Sequence, residues 1–539
     1  MKPPRVVFVV ALVVFTAALG PGAFWLDSSE LATAAFELGV AHPPGHPLWA
    51  LLAKAATLVP LGDVAMRVGW SSAVFAALAA GQATRLGTEL ASRLGSPRPG
   101  WLGAAAGLAW AGTWAMAFSA VRAEVYALSS LLTMLAAVAL LRFEARGERV
   151  ELWRASFWAG LGLGNHPLLG LSLIGPGLVV GGLAIYAHRR QLRLRLAIGG
   201  ALGLGALSVL LLPYLPLRAL RHPLVDWGAP TDLGRIWWTV SARAFQSAVE
   251  RGGTGELGDL LGALSVELRG IGVLLAVLGA WLLVRRRETQ RPAWLLVGLC
   301  AVQLGARATV GFDWGNPDAW AYFSDGVAMA LMLSLVPLAK LRGRLAQLAC
   351  MSWVVLALAS GLVERGRWWI ARHHDLPRVL GSWLDATPPR GMLVTSYFQT
   401  VFGLWYLRGV EGRRPDVDLV HRHFLVSPGY RDELLRRNPA LAPVLGERDV
   451  NWAQLPAGAV VEYDLDQPKT FLAATPVPAP QVELTDEEQT TRYLGWQAFL
   501  AAHQACREHR KAEVATWVAE ARRRLGDGPE LQELLANCR

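Results

Sequence analysis

The sequence is poor in charged residues and in cysteine. Charged residues form 17% of the 539 residues, hydrophobic residues form 53%, and the mean hydropathy is +0.32. The four cysteines show no CxxC spacing, so the usual cysteine signature of a metal or redox motif is missing. A convincing internal repeat, a low-complexity tract and a nucleotide-binding glycine loop are missing as well. A chain this long and this apolar predicts a polytopic α-helical membrane protein with a soluble part attached.

The positive charge of the chain is explained by where it lies. A formal net charge of +10 would suggest a nucleic-acid partner for a soluble protein. Here the arginines cluster in short loops between apolar runs, which is the positive-inside pattern of membrane proteins. We therefore expect a lipid bilayer, and no nucleic acid, as the partner of these basic segments.

Apolar runs recur along the first two thirds of the chain. Several approach the ~20 residues needed to cross a bilayer, and together they predict about 11 transmembrane helices. The short run 155–165 is interpreted as a half-helix, and residues 48–61 as a surface or re-entrant helix. The runs lie at 4–24, 64–83, 100–119, 124–141, 155–165, 168–187, 196–213, 268–284, 292–310, 323–339 and 345–363.

The orientation of these runs follows from six basic loops. If all six face the cytoplasm, the helices alternate without conflict, the amino terminus is cytoplasmic and the long carboxy-terminal part is non-cytoplasmic. A signal peptide at the amino terminus stays an alternative, although the GPGAFW segment lacks a clear cleavage site. The basic loops are Lys2 and Arg5; Arg85, Arg93 and Arg98; Arg142 to Arg154; Arg189 to Arg195; Arg285 to Arg291; and Lys340 to Arg344.

The composition changes after residue 363. Residues 1–363 are predicted to form the transmembrane domain, with a first external loop at 25–63. Residues 364–539 are predicted to form a soluble, non-cytoplasmic domain. It is α/β over 364–484, where MLVTSYF and AVVEYDL are strand-like, and helical over 485–539.

The cysteines fall into two pairs by position. Cys300 and Cys350 lie in apolar runs, where we expect them to be inert. Cys506 and Cys538 lie in the predicted soluble domain. They could form one disulfide if that domain is outside the cytoplasm.

The polar segment FWLDSSELATAAFELGVAHPPGHPLW follows directly after the first apolar run. Asp27 and Glu30 are spaced i, i+3, so in a helix both carboxylates share a face, which suits a general base or a metal site. The alternative is helix capping by Asp27, Ser28 and Ser29, with Glu30 as a first-turn acid. In HPPGHP the prolines forbid a regular helix and place His42 and His46 near the same surface.

Other polar clusters emerge on the predicted outer face. RAEVYAL carries Arg122, Glu124 and Tyr126 at the start of a membrane helix, where charges are costly unless solvated or used. The segments PLVDWGAP and FDWGNPDAWAYF combine acids with aromatic residues, which suits sugar stacking and equally suits an interfacial aromatic belt. The residues singled out here, beside the first-loop acids and histidines, are Arg122, Glu124, Tyr126, His166, Arg218, Trp227, Asp318 and Tyr322.

The order of these motifs resembles a known family. DSSELATAAFELGVAHPPGHPLW, RAEVYAL, GLGNHPLLG, YLPLRA followed by WGAP, NPDAWAYF and LWYLRGVEGRRPDVDLV are similar to the protein O-mannosyltransferase-like membrane proteins, formerly known as a domain of unknown function. The resemblance covers about residues 20–430. The chain departs from the family pattern at Ser29, where Gly is expected, and at His46, where an aromatic residue is expected.

The resemblance implies a GT-C glycosyltransferase fold and a sugar donor carried on a polyprenyl phosphate. It implies Asp27 as the general base that activates an acceptor hydroxyl, with Glu30 orienting it or sharing the role. Direct displacement by one base would invert the anomeric configuration. The acceptor is left open between protein, glycan and lipid; metal dependence is also left open, and no metal ligand is assigned. Candidates to stabilise the departing phosphate are His42, His46, Arg122, His166 and Arg218, and candidate substrate contacts are Glu124, Tyr126, Trp227, Asp318 and Tyr322.

Two other function classes remain. A transporter or flippase for a polyprenyl-linked substrate would show paired repeats and charges at mid-bilayer depth, whereas these acids lie at one interface. A catalytically inactive membrane scaffold is the second alternative, because motif matches carry false positives.

Overall fold

The computed structural model describes residues 1–246, 256–340, 344, 348, 351–353, 355, 368–467, 475–480, 483–485 and 487–538. The apolar run 345–363 falls almost entirely outside these residues, so its span stays a prediction. Helices dominate up to residue 335, because a backbone that crosses a bilayer must satisfy its own hydrogen bonds. They are α1 (Pro3–Ala18), α2 (Ser28–Glu37), α3 (Pro47–Thr57), α4 (Val64–Arg93), α5 (Pro99–Ala111), α6 (Trp114–Ala120), α7 (Tyr126–Arg146), α8 (Arg149–Asn165), α9 (Pro167–His188), α10 (Leu194–Ala206), α11 (Tyr214–Ala219), α12 (Leu233–Val240), α13 (Glu256–Glu267), α14 (Ile271–Val284), α15 (Gln290–Val310), α16 (Pro317–Ala321) and α17 (Ser324–Leu335).

Four helical stretches among the described residues are long and apolar enough to cross a bilayer. They are α4, α7, α9 and the stretch Leu194–Ala219. The count rises to five if Leu257–Glu267 and Ile271–Val284, which are bent by 98° at their junction, form one broken span. Helices α1 and α17 are apolar but shorter. A helical chain with several apolar helices is therefore confirmed, whereas the predicted total of about 11 spans is not.

Two apolar runs fold differently from the prediction. Run 100–119 is divided into α5 and α6, because the backbone turns extended at Thr113. Run 155–165 is the second part of the 17-residue helix α8 and is not a half-helix. The start of α8 escaped the hydropathy pattern because its first turns are polar, with Glu151 and Arg154 paired at 2.9 Å.

Helix α3 lies where a surface or re-entrant helix was predicted. It has 11 residues, which at 1.5 Å per residue is about 16 Å, or half of the hydrocarbon thickness of a bilayer. By itself α3 is too short to span. Its amino end follows the HPPGHP loop, so it anchors that loop beside the first acids.

A small parallel sheet forms in the carboxy-terminal part. The strand order is β2-β1-β3-β4, and all neighbours are parallel. Both segments read as strand-like in the sequence contribute a strand. The elements are α18 (Asp375–Ala386), β1 (Met392–Thr395), α19 (Phe398–Gly409), β2 (Asp418–His421), α20 (Tyr430–Arg437), β3 (Val460–Val461), β4 (Thr475–Pro476), α21 (Glu488–Arg507), α22 (Lys511–Leu525) and α23 (Pro529–Asn537).

The two faces of this sheet are buried in different clusters. Successive side chains of a strand point to opposite faces. Met392 and Val394 pack into a small local cluster, whereas Leu393 joins the large core that continues into the membrane helices. The sheet is therefore packed against the helical part and is not a freely tethered module.

Specific hydrogen bonds connect the carboxy-terminal part to the start of the chain. The indole nitrogen of Trp25 donates to the Thr490 hydroxyl at 2.8 Å. The Tyr406 hydroxyl accepts from the Ala65 amide at 3.0 Å, and helix α19, which carries Tyr406, packs on α2. The candidate site lies at this junction.

A disulfide joins Cys506 in α21 to Cys538 directly after α23. Their Cα atoms are 5.6 Å apart, across 32 residues of sequence. The sequence left this pairing open, since it depended on the compartment. Cys300 is a free cysteine in α15.

Candidate active site

The two acids of the first loop lie at the amino end of α2. Asp27 occupies the N-cap position, but its side chain makes no capping hydrogen bond. The alternative is right about the positions of Asp27 and Glu30, but the Asp27 carboxylate does not cap the helix and can make other contacts. Glu30, one turn later, is fully buried.

The HPPGHP loop is held in one shape against α2. Gly45 has a φ of +90°, and a Cβ there would lie 2.8 Å from a methyl carbon of Leu215, so this turn requires glycine. Upstream, the Val40 amide donates to the Val225 carbonyl at 2.9 Å, and the Trp227 amide donates to the Val40 carbonyl at 3.1 Å. These bonds attach the loop to the PLVDWGAP segment.

His42 lies between the two carboxylates. Its amide donates to one oxygen of Glu30 at 2.8 Å, and its Nδ1 lies 2.9 Å from the other oxygen. Its Nε2 lies 3.8 Å from Asp27. Burial opposes protonation, but Glu30 and Asp27 outweigh it and raise the pKa of His42 to about 10. The imidazole is therefore a cation at neutral pH.

Asp27 is the acid of this cluster that stays accessible, with its side chain 20% exposed. Burial raises the pKa of Asp27 to about 6, and the positive charge on His42 limits the rise. The carboxylate thus loses its proton close to neutral pH. Such a group can act as a base where an ordinary aspartate would be too weak.

Two further histidines continue behind His42. The His46 ring centre lies 5.1 Å from that of His42 and 5.4 Å from that of His166. His46 Nδ1 bonds the Asn165 carbonyl at 2.8 Å, and burial lowers the pKa of both His46 and His166. These rings are buried and neutral, so they are poorly placed to meet a phosphate as cations.

Arg122 is buried in an ion-pair network and is not available to a substrate anion. Its guanidinium lies 2.7 Å from Glu124, donates to Asp318, and donates to the Ser28 hydroxyl at 3.0 Å. It also lies over the Phe118 ring. A buried charge needs such partners. Arg122 therefore joins α2 to α16.

A cavity of about 1010 Å³ opens in front of Asp27. Its walls come from the first loop, the 214–267 connection, the 311–322 loop and the carboxy-terminal part. The sequence predicted all four on the non-cytoplasmic face, and the structure brings them to one cavity. Six predicted site residues line it: Asp27, His42, Tyr126, Trp227, Asp318 and Tyr322. Glu30, His46, Arg122, Glu124 and His166 are buried residues outside the lining.

Arg218 lies away from this cavity, at the opposite end of α2. Its guanidinium donates to the carbonyl of Leu38 at 2.6 Å and to that of Glu37 at 2.8 Å. A cation is favoured there because the carboxyl end of a helix carries partial negative charge. The ten residues of α2 separate Arg218 from Asp27 by about 15 Å along the helix.

The cavity contains two arginines that the sequence did not single out. Arg243 lines it from the 214–267 connection, and its side chain has no hydrogen bond or ion pair to a described residue. Arg492 lines it from α21 and donates to the Gly315 carbonyl at 2.7 Å. Neither lies in a motif with distinctive spacing. Only the tertiary structure shows that Arg243 and Arg492 line the same cavity as Asp27.

A grouping of metal-type ligands occurs at the cavity edge and not at the acids of α2. Within the described part of the chain it consists of His423, Asp464 and Asp466. The Arg422 guanidinium lies 3.0 Å from Asp464 and 2.5 Å from Asp466. Both carboxylates are thus already ion-paired with Arg422.

The class of protein is indicated by comparison with family models. Residues 27–193 match the family described as the Protein O-mannosyl-transferase TMEM260 N-terminal domain, and the match begins at Asp27. The resemblance read from the motifs is thereby confirmed. One relative is Protein O-mannosyl-transferase TMEM260 of Mus musculus, which is 28% identical over 467 residues. The match covers 81% of this chain and 64% of the mouse protein, so the chain spans less than two thirds of that relative.

Solved structures show a weaker likeness. ArnT from Cupriavidus metallidurans bound to undecaprenyl phosphate has a TM-score of 0.47 and 15% identity, over 83% of this chain and 97% of that chain. An Archaeoglobus fulgidus oligosaccharyltransferase complex with Zn and sulfate has a TM-score of 0.45 and 11% identity, over 77% of this chain and 62% of that chain. These values are too low to establish a common fold.

Proposed function

We propose that the protein is a membrane glycosyltransferase that transfers a mannose-like sugar from a polyprenyl-phosphate donor to an acceptor hydroxyl on the non-cytoplasmic face. The proposal includes a GT-C-like membrane domain over 1–363 and a non-cytoplasmic domain over 364–539. The observation that carries it is the Asp27 carboxylate, which faces a large cavity and has a pKa of about 6. The family match over 27–193 supports the same chemistry.

In the proposed reaction, Asp27 acts as the general base. The acceptor oxygen attacks the anomeric carbon of the sugar while Asp27 takes the hydroxyl proton. The bond between the anomeric carbon and the phosphate oxygen breaks, and the lipid phosphate leaves with the electron pair. A single displacement of this kind inverts the anomeric configuration. Glu30 is a positioning residue, because it acts by holding His42 beside Asp27.

The leaving phosphate requires positive charge in the same cavity. Arg243 and Arg492 are the arginines that line it, and neither forms an ion pair with a described carboxylate. They replace Arg122 and Arg218 as the proposed phosphate contacts, because Arg122 is neutralised by buried acids and Arg218 lies elsewhere. Arginine suits this role since its planar fork matches phosphate oxygens.

The acceptor is proposed to enter from the side of the carboxy-terminal part. That wall is aromatic: Tyr397, Phe402 and Trp496 line the cavity there, and Trp227 and Trp238 line it from the connection. Aromatic faces pack against the apolar faces of sugar rings and equally against peptide side chains. A protein serine or threonine is the acceptor suggested by the name of the mouse relative.

The first test is to replace the base. We expect Asp27→Asn to lower sugar transfer by about 10²- to 10⁴-fold, the usual contribution of a positioned general base. The measurement is transfer from radiolabelled polyprenyl-phosphate sugars to a membrane extract by the purified, membrane-inserted protein.

Asp313→Asn is the matched control, because Asp313 lines the same cavity but bonds only its own turn, through the Gly315 amide at 2.8 Å. It should transfer at close to the parental rate. Full transfer by a well-expressed Asp27→Asn protein would remove Asp27 from catalysis. No transfer by the parent with any donor would contradict the proposed function.

A further inference from the structure

A second polar groove lies at the other end of α2. Its volume is about 550 Å³, and it is open to solvent. Four arginines from three parts of the chain line it, against a single carboxylate, that of Glu37. The arginines are Arg218 and Arg221 at the end of the span Leu194–Ala219, Arg408 in α19 and Arg437 in α20.

Glu37, Asp416 and Asp418 lie near these arginines, but three of the four arginines form no ion pair within 4 Å with a described carboxylate. Arg408 donates to the carbonyls of Val417 and Pro415, and Arg218 donates to the two carbonyls at the end of α2. The exposed side chain of Arg221 has no hydrogen bond or ion pair to a described residue. Arg437 alone is ion-paired, with Glu433 at 2.8 Å. Burial and the nearby charge of Arg437 lower the pKa of Arg408, as expected for crowded cations.

The groove adjoins an apolar surface. In the most apolar 18-residue window of the span Leu194–Ala219, 6% of the residues are buried in the fold, as expected of a helix that faces lipid. Leu217 and Leu220, which flank Arg218 in sequence, are 62% and 60% exposed. Arg221 therefore follows a lipid-facing helix at the level where that helix ends. Phosphate groups of lipids occupy this level of a bilayer.

We propose that this groove is a second anion site, distinct from the Asp27 cavity, that binds the phosphate group of a ligand. The phosphate belongs either to a lipid headgroup or to a soluble phosphate compound. When bound, it bridges the end of the membrane span to α19 and α20 of the carboxy-terminal part. This site does not depend on the proposed transfer reaction.

The test measures binding of short-chain phosphatidic acid to the detergent-purified protein by native mass spectrometry. Diacylglycerol with the same chains is the probe that lacks phosphate, and inorganic phosphate is the soluble competitor. We expect Arg221→Glu and Arg408→Gln each to weaken phosphatidic acid binding about tenfold, the effect of losing one charge-assisted contact. Arg195→Gln is the matched control, since Arg195 flanks the other end of the same span and should leave binding unchanged.

Each outcome either supports or overturns the proposed phosphate site. Competition by inorganic phosphate would show that the phosphate group alone is sufficient, whereas binding without such competition would identify the lipid as the source. Equal retention of diacylglycerol, or equal loss in Arg195→Gln, would overturn the proposal. Arg221 has no structural partner, so Arg221→Glu tests the site even if Arg408→Gln folds poorly. Arg243→Gln removes a proposed phosphate contact of the Asp27 cavity and should keep full phosphatidic acid binding, which separates this groove from that cavity.

Discussion

At the scale of single residues, the candidate site depends on a cation between two acids. The negative charge of Glu30 opposes ionisation of Asp27, and the positive charge of His42 favours it. With His42 protonated, the Asp27 carboxylate is kept ionised close to neutral pH while burial keeps it basic. The site thus combines an accessible Asp27 carboxylate with a buried His42 cation that lowers its pKa.

This arrangement predicts the pH dependence of transfer. Asp27 must be ionised to accept a proton, so the rate should fall as the pH decreases below about 6. His42 lowers the pKa of Asp27, so His42→Gln should raise that pKa and move the acid limb to higher pH, by on the order of 1 pH unit. The measurement is kcat/KM against pH.

His423→Gln is the control for that profile. His423 also lines the cavity, but it bonds Asp464 at 2.9 Å and not Asp27. The acid limb of the pH profile of His423→Gln should match that of the parent protein. An unshifted limb in His42→Gln, or a limb shifted to lower pH, would show that His42 does not adjust the base.

At the scale of elements, α2 runs from the Asp27 cavity to the arginine-lined groove. Its amino end carries Asp27 at the large cavity, and its carboxyl end is held by Arg218 beside the second groove. The sequence grouped Arg218 with the phosphate contacts because the first loop and the 214–267 connection are predicted to emerge on the same face of the membrane. The length of α2 separates Arg218 from Asp27. The predicted topology gives the side of the membrane on which a residue lies, but not its distance from other residues on that side.

One disulfide links two of the carboxy-terminal helical segments. The Cys506–Cys538 disulfide closes a loop of 32 residues. Such a constraint typically contributes about 3 kcal/mol to stability. We expect a reductant to lower the melting temperature of the parent protein and to leave that of the Cys506→Ser/Cys538→Ser double variant unchanged.

Cys300→Ala is the matched cysteine control, because Cys300 is a free cysteine in α15. It should respond to the reductant as the parent does. A parent protein whose melting temperature ignores the reductant would mean that the disulfide does not stabilise these helices.

At the scale of the whole molecule, the proposed function requires a single sidedness. The cavity joins the first loop, the 214–267 connection and the carboxy-terminal part, so all three must lie on one side of the membrane. The disulfide agrees with a non-cytoplasmic location, since disulfides persist in oxidising compartments.

Labelling of single cysteines with a membrane-impermeant maleimide tests this sidedness. Leu233 is 86% exposed in the connection, and Gln191 is exposed in the basic loop between α9 and α10. After removal of Cys300 and Cys350, we expect Leu233→Cys to react in intact cells and Gln191→Cys to react only after permeabilisation. The reverse pattern, or labelling of both in intact cells, would contradict the predicted topology.

The sequence by itself determined that this is a helical membrane protein, and it singled out Asp27 as a candidate. Hydropathy and the position of arginines are local properties of the chain, and they were enough to predict a helical membrane protein with Asp27 beside the membrane surface. The boundaries of the apolar runs were less predictable. The polar first turns of α8 concealed its start in the hydropathy pattern, and the extended backbone at Thr113 divides the apolar run 100–119 into two helices.

Only the tertiary structure decided which polar residues meet. The placement of His42 between two carboxylates, the neutralisation of Arg122 by Asp318, and the presence of Arg243 in the cavity each depend on segments brought together by packing. Contacts between residues far apart in sequence leave no periodic signature in the chain. Asp27 could therefore be singled out from the sequence as a candidate base, whereas its charged surroundings and the arginine-lined groove could not.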